Sequence, residues 1–339
     1  MRPRVDLGFN LAMPSFPRFR VDPYILCILG AVAAAAILPI SGVWADRFSL
    51  GTKIAVALLF FLYGARLPRE AVFAGLIRWR LHLLVLSVTF VLYPLIGLGW
   101  SLLPAWLLAP PLAAGLTYVC CLPSTVQSNV ALVAAARGDI AAAVCSASAS
   151  NLIGVILSPI LVSALLGASG ASISMSAIEG IVVQLLLPFA LGQVVHPWLA
   201  AWTARHKAKL TAYDRFTIML IVYSAFSAAI IGGIWRHVSA PQLAVLVVLC
   251  AALFAVVITL GIRAARACGF PVEDEIVVAI CGTQKGLVVG VPMASLLFPP
   301  DSVGLILLPL LIYHPLQLMS CAVIAGRYAR RGEPARSAP

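Results

Sequence analysis

Four stretches of an otherwise apolar chain carry side chains able to hold an ion or a polar solute. They are Gln127-Ser128-Asn129, Ser148 with Ser150 and Asn151, Thr283-Gln284-Lys285, and Tyr313-His314 with Gln317. Together they supply amide, hydroxyl, imidazole and ammonium groups, but no carboxylate. Such a set can bind a solute and pass it on. It does not form a nucleophile–base–acid relay or a metal box, so an enzyme is not expected. Burying an unpartnered amide costs about 1–3 kcal/mol, so these groups should converge on one another or on a ligand. For any single Asn or Ser the plainer role is a hydrogen bond between helices. A shared depth is what would raise a binding site above that role, and depth is set by the elements that carry the residues.

Hydrophobic residues make up 62% of the 339 and charged residues 10%, with a mean hydropathy of +1.04. A soluble domain carries roughly 25% charged residues because its surface faces water. Here the outer surface must face lipid, where only helices or closed barrels satisfy the backbone. Apolar runs of about 17–25 residues without strict alternation fit spanning helices, not barrel strands. The expected fold is an all-α membrane protein of about ten transmembrane helices. Expected spans lie near 24–41, 52–66, 81–103, 111–136, 140–166, 177–195, 213–235, 241–262, 275–298 and 303–326. This divides the chain into an N-terminal segment 1–23, a first five-helix repeat 24–166, a small-residue connector 167–176, a second repeat 177–328 and a tail 329–339.

Lys and Arg stay in cytoplasmic loops, and their placement tests this division. With the N-terminus inside, 19 of the 23 basic residues fall on the cytoplasmic side and only Arg47, Lys53 and Arg236 on the other. The alternation puts both termini in the cytoplasm and the protein in the cell inner membrane. The net charge of +11 then faces anionic headgroups, and nucleic acid is not needed as a partner. Arg2 and Arg4 ahead of an apolar stretch ending at Val43-Trp-Ala45 also fit a cleaved leader. Its removal would leave nine helices and spoil the symmetry described next. Of the eight cysteines only Cys268 lies outside an apolar run, and there is no CxxC, so neither a disulfide framework nor a zinc site is expected.

Five spans per half make the second half enter the membrane from the opposite side, as in inverted-repeat secondary transporters. The fourth span contains Pro123-Ser-Thr-Val-Gln-Ser-Asn-Val130. The ninth contains Cys281-Gly-Thr-Gln-Lys-Gly-Leu287, followed by Gly290-Val-Pro292. Both are polar and Pro/Gly-interrupted at mid-span, in the penultimate position of their half. Broken helices at that depth form ion and solute sites, although a pair of ordinary kinks is the bland reading. The four polar stretches share one depth. Lys285 is the one basic residue the loops do not claim, at a cost of at least about 2.5 kcal/mol if it lies at the bilayer centre. Three roles stay open for it: giving up its proton, meeting an anionic solute in a wet cavity, or donating to carbonyls where a broken helix ends. His314 either relays protons or bonds the carbonyl freed by Pro315. Cys120-Cys121 either packs as small apolar residues or holds a soft metalloid.

At Ser124–Val130, Ala136-Arg-Gly-Asp139, Gly282-Thr-Gln-Lys285 with Gly290-Val-Pro292, and Tyr313-His-Pro315, the chain resembles the bile acid:sodium symporter superfamily in its SBF-like branch. The resemblance runs from about 24 to 328. It implies a panel domain from the first two helices of each half and a core domain from the last three. Helices 4 and 9 would be broken and cross at the substrate and sodium sites. Carried over by position, Ser128 and Asn129 match sodium-binding residues, and Gln284 matches another. The pattern then departs. Relatives have a glutamate a few residues before the glutamine, where this chain has Ile280 and Cys281, and a neutral amide after it, where this chain has Lys285. Lys285 is therefore expected to replace a bound cation.

The expected function is a secondary transporter of a small organic anion, working by alternating access, with no cofactor and with the coupling ion open between Na+, H+ and none. Its candidate site residues are Gln127, Ser128, Asn129, Ser148, Asn151, Thr283, Gln284, Lys285 and His314. The resemblance also extends to eukaryotic members linked to calcium homeostasis, so a non-transporting regulator of a cation pathway is the second class. Metalloid efflux through Cys121 is the third. Solute identity, direction of transport and oligomeric state stay open.

Overall fold

The computed structural model describes residues 23–66, 78–167, 180, 182–233 and 238–331, and among these every regular element is helical. The expected N-terminal segment, connector and tail fall wholly or largely outside the described residues. Helix α1 is Pro23–Ile37 and α2 is Val43–Arg66. Helix α3 starts as Trp79–Ser87, widens into a π turn at Val88–Leu92 and resumes as Tyr93–Gly97. Helices α4 (Pro110–Cys121) and α5 (Gln127–Ala135) precede α6 (Ile140–Gly167). A second π turn, Val182–Leu186, opens α7 (Leu187–Arg205). Then come α8 (Lys207–Ile231), α9 (Ala240–Ala267), α10 (Val272–Cys281), α11 (Leu287–Leu297) and α12 (Pro300–Arg330).

Seven helical runs are long and apolar enough to cross a bilayer, and three shorter apolar helices cover 26–37, 110–121 and 287–297. Large apolar side chains such as Leu83, Ile156, Leu191 and Val248 stand on the outer surface, which in water would be a continuous liability. The chain is a multi-pass membrane protein.

Two sets of helices emerge from the packing. In one, α2 lies along α7, and α8 packs on both α1 and α2. In the other, α3 to α6 pack on one another and on α10, while α12 lies on α4 and α9 covers α10 and α12. Helix α8 touches α11 and α12 and so bridges the sets. Each set has its own ionic clasp. Arg66 grips Asp214 through two hydrogen bonds of 2.8 and 2.9 Å, joining α2 to α8. Arg78, ahead of α3, pairs with both Asp139 and Asp274, at the starts of α6 and α10. Arg266 grips Glu275, which also accepts from Tyr328 at 2.6 Å, tying α9, α10 and α12. Among the described residues no ion pair joins one set to the other.

Helix α2 begins nine residues before the expected start at 52. Gly42, at φ +61°, turns the chain, and Asp46 sits in the first turn of α2, where the helix dipole favours an anion. The Asp46–Arg47 pair therefore enters the helix instead of preceding it. Lys53, counted with the basic residues of the non-cytoplasmic side although it falls at the edge of the expected span, lies inside α2.

The α2–α7 contact depends on two glycines. A Cβ on Gly64 would stand 2.2 Å from the Phe189 carbonyl oxygen, and one on Gly192 would stand 2.1 Å from the Phe61 carbonyl oxygen. The approach lets Gln193 donate to the Gly64 carbonyl at 2.7 Å. Small residues are how membrane helices come this close. Gly51, on the same helix, has open space around it. Gly192→Ala is expected to lower the melting temperature of the purified protein by several degrees, whereas Gly51→Ala should hold or raise it, alanine being about 1 kcal/mol the better helix former. Equal melting curves for the two variants would show that the close contact does not hold the set together.

Candidate functional site

Helix α4 ends because Pro123 forces Leu122 into an extended conformation (φ −77°, ψ 150°). Helix α10 ends at Gly282, and α11 restarts after an extended Gly286 (φ −91°, ψ 126°). Each break leaves backbone groups without helical partners, and in a membrane these need partners from within the protein. The two breaks meet and answer each other. Gly286 N–H donates to the Pro123 carbonyl at 3.1 Å, and the Ser124 hydroxyl donates to the Cys281 carbonyl at 2.6 Å. Asn129 Nδ2 donates back to Ser124 Oγ at 2.8 Å. From α6, Ser150 Oγ accepts from Ser124 N–H at 3.0 Å, and Asn151 Nδ2 donates to the Ser124 carbonyl at 2.9 Å. Gln317 of α12 bonds both backbone groups of Lys285, accepting from its N–H and donating to its carbonyl, each at 2.8 Å.

Lys285 lies at the centre and is fully buried. Its Nζ donates to the carbonyls of Leu122 at 2.7 Å, Thr89 at 3.1 Å and Cys120 at 3.5 Å. Cys120 and Leu122 are the carbonyls exposed where α4 ends, and Thr89 lies in the π turn of α3. An ammonium has three N–H donors, so all three are engaged. The ammonium also sits 3.9 Å from the centre of the Tyr93 ring, an attractive placement for a cation. The Tyr93 hydroxyl donates to the Thr283 carbonyl at 2.7 Å and meets the Tyr313 hydroxyl. Of the three roles open to Lys285, this geometry is the helix-end one, and it leaves no free N–H for a solute.

The other candidate residues divide by position. Ser128 Oγ lies 3.4 Å from Gln284 Oε1, so α5 and the second break are in contact there. Asn129, Thr283 and Gln284 are fully buried, and Thr283 Oγ1 bonds back to the Ala279 carbonyl at 2.6 Å. His314 Nδ1 lies 3.2 Å from the Lys285 carbonyl. Gln127 is exposed and reaches Thr211 on α8 at 3.3 Å, away from the breaks. Ser148 is buried on α6 and makes no side-chain hydrogen bond to either break among the described residues. Cys120 and Cys121 are both buried, the Cys121 thiol donating to the Thr117 carbonyl at 3.3 Å. Among the described residues two buried polar atoms here lack a hydrogen-bond partner within normal distance: the acceptor Asn129 Oδ1 and the donor Gln284 Nε2, the Gln284 amide lying beside the Cys321 thiol.

Tyr93 and Thr89 escaped the sequence reading. The available signal was Tyr93-Pro94 in mid-span, which resembles Tyr313-His-Pro315, but the third span has no polar cluster to draw attention to it.

A multi-pass helical protein whose polar residues gather where two helix breaks meet has the build of a solute carrier. The chain belongs to the SBF-like CPA transporter family, which matches residues 22–330. It is 47% identical over 325 residues to an uncharacterized protein of Pseudomonas aeruginosa, covering 96% of this chain and 98% of the relative. It is 44% identical over 316 residues to YfeH of Escherichia coli, a candidate symporter by name, covering 93% and 95%. Sodium/bile acid cotransporter 7-A of Xenopus laevis is 29% identical over 315 residues, covering 91% of each chain. Two of these relatives bear carrier names, one as a symporter and one as a cotransporter.

Ser124 links the two breaks from both sides of its hydroxyl. Ser124→Ala would leave the Cys281 carbonyl and Asn129 Nδ2 buried and unpaired, at about 1–3 kcal/mol each. The expected outcome is a markedly lower melting temperature than for the exposed control Ser302→Ala. Indistinguishable melting of the two variants would mean that the serine is not what joins the breaks.

Proposed function

We propose that this protein is a secondary carrier of a small organic anion that works without sodium. Helices α4 and α5 form one interrupted span, and α10 and α11 another. With α1 and the seven long runs this makes ten spans, in two inverted halves, in the cell inner membrane with both termini cytoplasmic. The set α1, α2, α7 and α8 acts as the panel, and the remaining helices act as the core. The two sets rock against each other, a reading supported by ionic clasps that stay within each set. The polar face of the core toward the solute is Ser128, Asn129 and Gln284, where Asn129 Oδ1 and Gln284 Nε2 keep an acceptor and a donor in reserve.

The single observation that carries the sodium independence is Lys285, buried with its three donors on three carbonyls. A sodium ion beside a carboxylate brings one charge of each sign, and these nearly cancel. With Ile280 and Cys281 where relatives place the acid, no carboxylate would attract the ion, and the ammonium already occupies carbonyls of the kind it would seek. Two unit positive charges about 4 Å apart at an effective dielectric near 20 repel by roughly 4 kcal/mol. That is about a thousandfold in affinity, enough to empty an ordinary site. Uptake of a transported anion into proteoliposomes is expected to be the same in sodium and in potassium at fixed ionic strength. A several-fold stimulation by sodium would refute the proposal. The double variant Ile280→Glu with Lys285→Gln is expected to gain sodium dependence.

A further inference from the structure

Lys285 offers no free donor, so the charge that holds an anion must come from elsewhere. Of the basic residues inside helices, Lys53 is one that lines a cavity. It lies ten residues after the start of α2 and thirteen before Arg66, about 15 and 20 Å along the axis. The whole helix runs about 36 Å, a little more than a hydrocarbon layer about 30 Å thick, so Lys53 falls between its ends, with its side chain exposed. A charge inside a span is costly unless it faces water or a ligand. Lys53 makes no ion pair among the described residues. It lines a cavity of about 80 Å³ between α2, the π turn ahead of α7, α8, α11 and the start of α12, at the boundary between the two helix sets.

The polar walls are Ser49, Thr52, Lys53, Gln184, Ser224 and Ser295, with no acid among them. Thr52 and Ser295 spend their protons on the Phe48 and Pro292 carbonyls. Ser49 and Ser224 line the same cavity, and among the described residues no hydrogen bond engages their hydroxyls. Gln184 Oε1 is a different signal, a buried acceptor without a partner among the described residues, which calls for a donor from the ligand. An anion that also carries an O–H satisfies both. At about 10–15 Å³ per water-sized group, the cavity takes roughly five to eight such groups, the size of a two- to four-carbon acid.

We propose that this cavity is a loading site for small hydroxycarboxylates, with Lys53 holding the carboxylate and Gln184 receiving the hydroxyl. Ser295 lies eight residues along α11 from the second break, so the site is about 12 Å from the crossover. The inference rests on reading the chain as an anion carrier and names the chemistry of its solute. The test is binding of lactate, and of propionate as its analogue without the hydroxyl, to the full-length protein by calorimetry at fixed ionic strength. Uptake of a radiolabelled carboxylate panel into proteoliposomes runs alongside. Wild type should bind lactate at least tenfold more tightly than propionate. Lys53→Gln should weaken both at least tenfold, while Gln184→Leu should erase the preference for lactate. Equal binding of the two acids by wild type overturns the hydroxyl assignment without any variant. Full lactate affinity in Lys53→Gln overturns the site, and if that variant misfolds, retained affinity in Lys53→Ala or Gln184→Leu does so instead. Uptake of another anion with no lactate binding sinks this inference and leaves the carrier reading standing. No uptake of any anion sinks both.

Discussion

The crossover depends on one ammonium. Helices that stop inside an apolar protein leave carbonyls without helical partners, and each would cost several kcal/mol if left bare. Side chains from four other helices meet part of that demand, but the carbonyls of Thr89, Cys120 and Leu122 all fall to Lys285. In turn those carbonyls make a buried lysine tolerable, because three oxygen dipoles and the Tyr93 ring stand where a counter-ion would otherwise be needed. Each feature is unfavourable alone. Together they fix the register of α4, α10 and α3 relative to one another.

That register explains why the surrounding residues are of the types they are. Gln317 can pair both backbone groups of Lys285 only because the chain there is extended. Tyr93 and Tyr313 approach the same Thr283 carbonyl from α3 and α12. Ser124 uses its hydroxyl on α10 and α5 and its N–H and carbonyl on α6. A polar network of this kind is stabilising only when complete. The two atoms it leaves open, on Asn129 and Gln284, are therefore the places where a further partner would be most strongly felt.

Much of this was legible in the sequence. The membrane class follows from composition, and the interrupted stretches at 123–130 and 281–292 announced themselves through Pro, Gly and amide residues in apolar surroundings. Individual partners were not legible, because a hydrogen bond between α3 and the second break links residues nearly two hundred positions apart, and no local pattern encodes it. Tyr93 is the clearest case: its neighbours are apolar, and its role exists only because Lys285 arrives from the other half. Gln127 erred the other way. It stands beside Ser128 and Asn129 in sequence, but successive residues on a helix are about 100° apart, so it faces α8.

Lys53 shows how a charge count conceals chemistry. Grouped with Arg47 on the non-cytoplasmic side it needs no explanation, although the expected span already starts at 52. With α2 beginning at Val43 it lies inside a helix and lines a cavity, and its place there must be accounted for. The two lysines differ in what surrounds them. Lys285 meets three carbonyls and the Tyr93 ring, fixed partners that cannot move away, so its charge is committed to holding these helices together. Lys53 lines a cavity shared by helices of both sets, and among the described residues no ion pair holds it, so its charge is not committed to the framework.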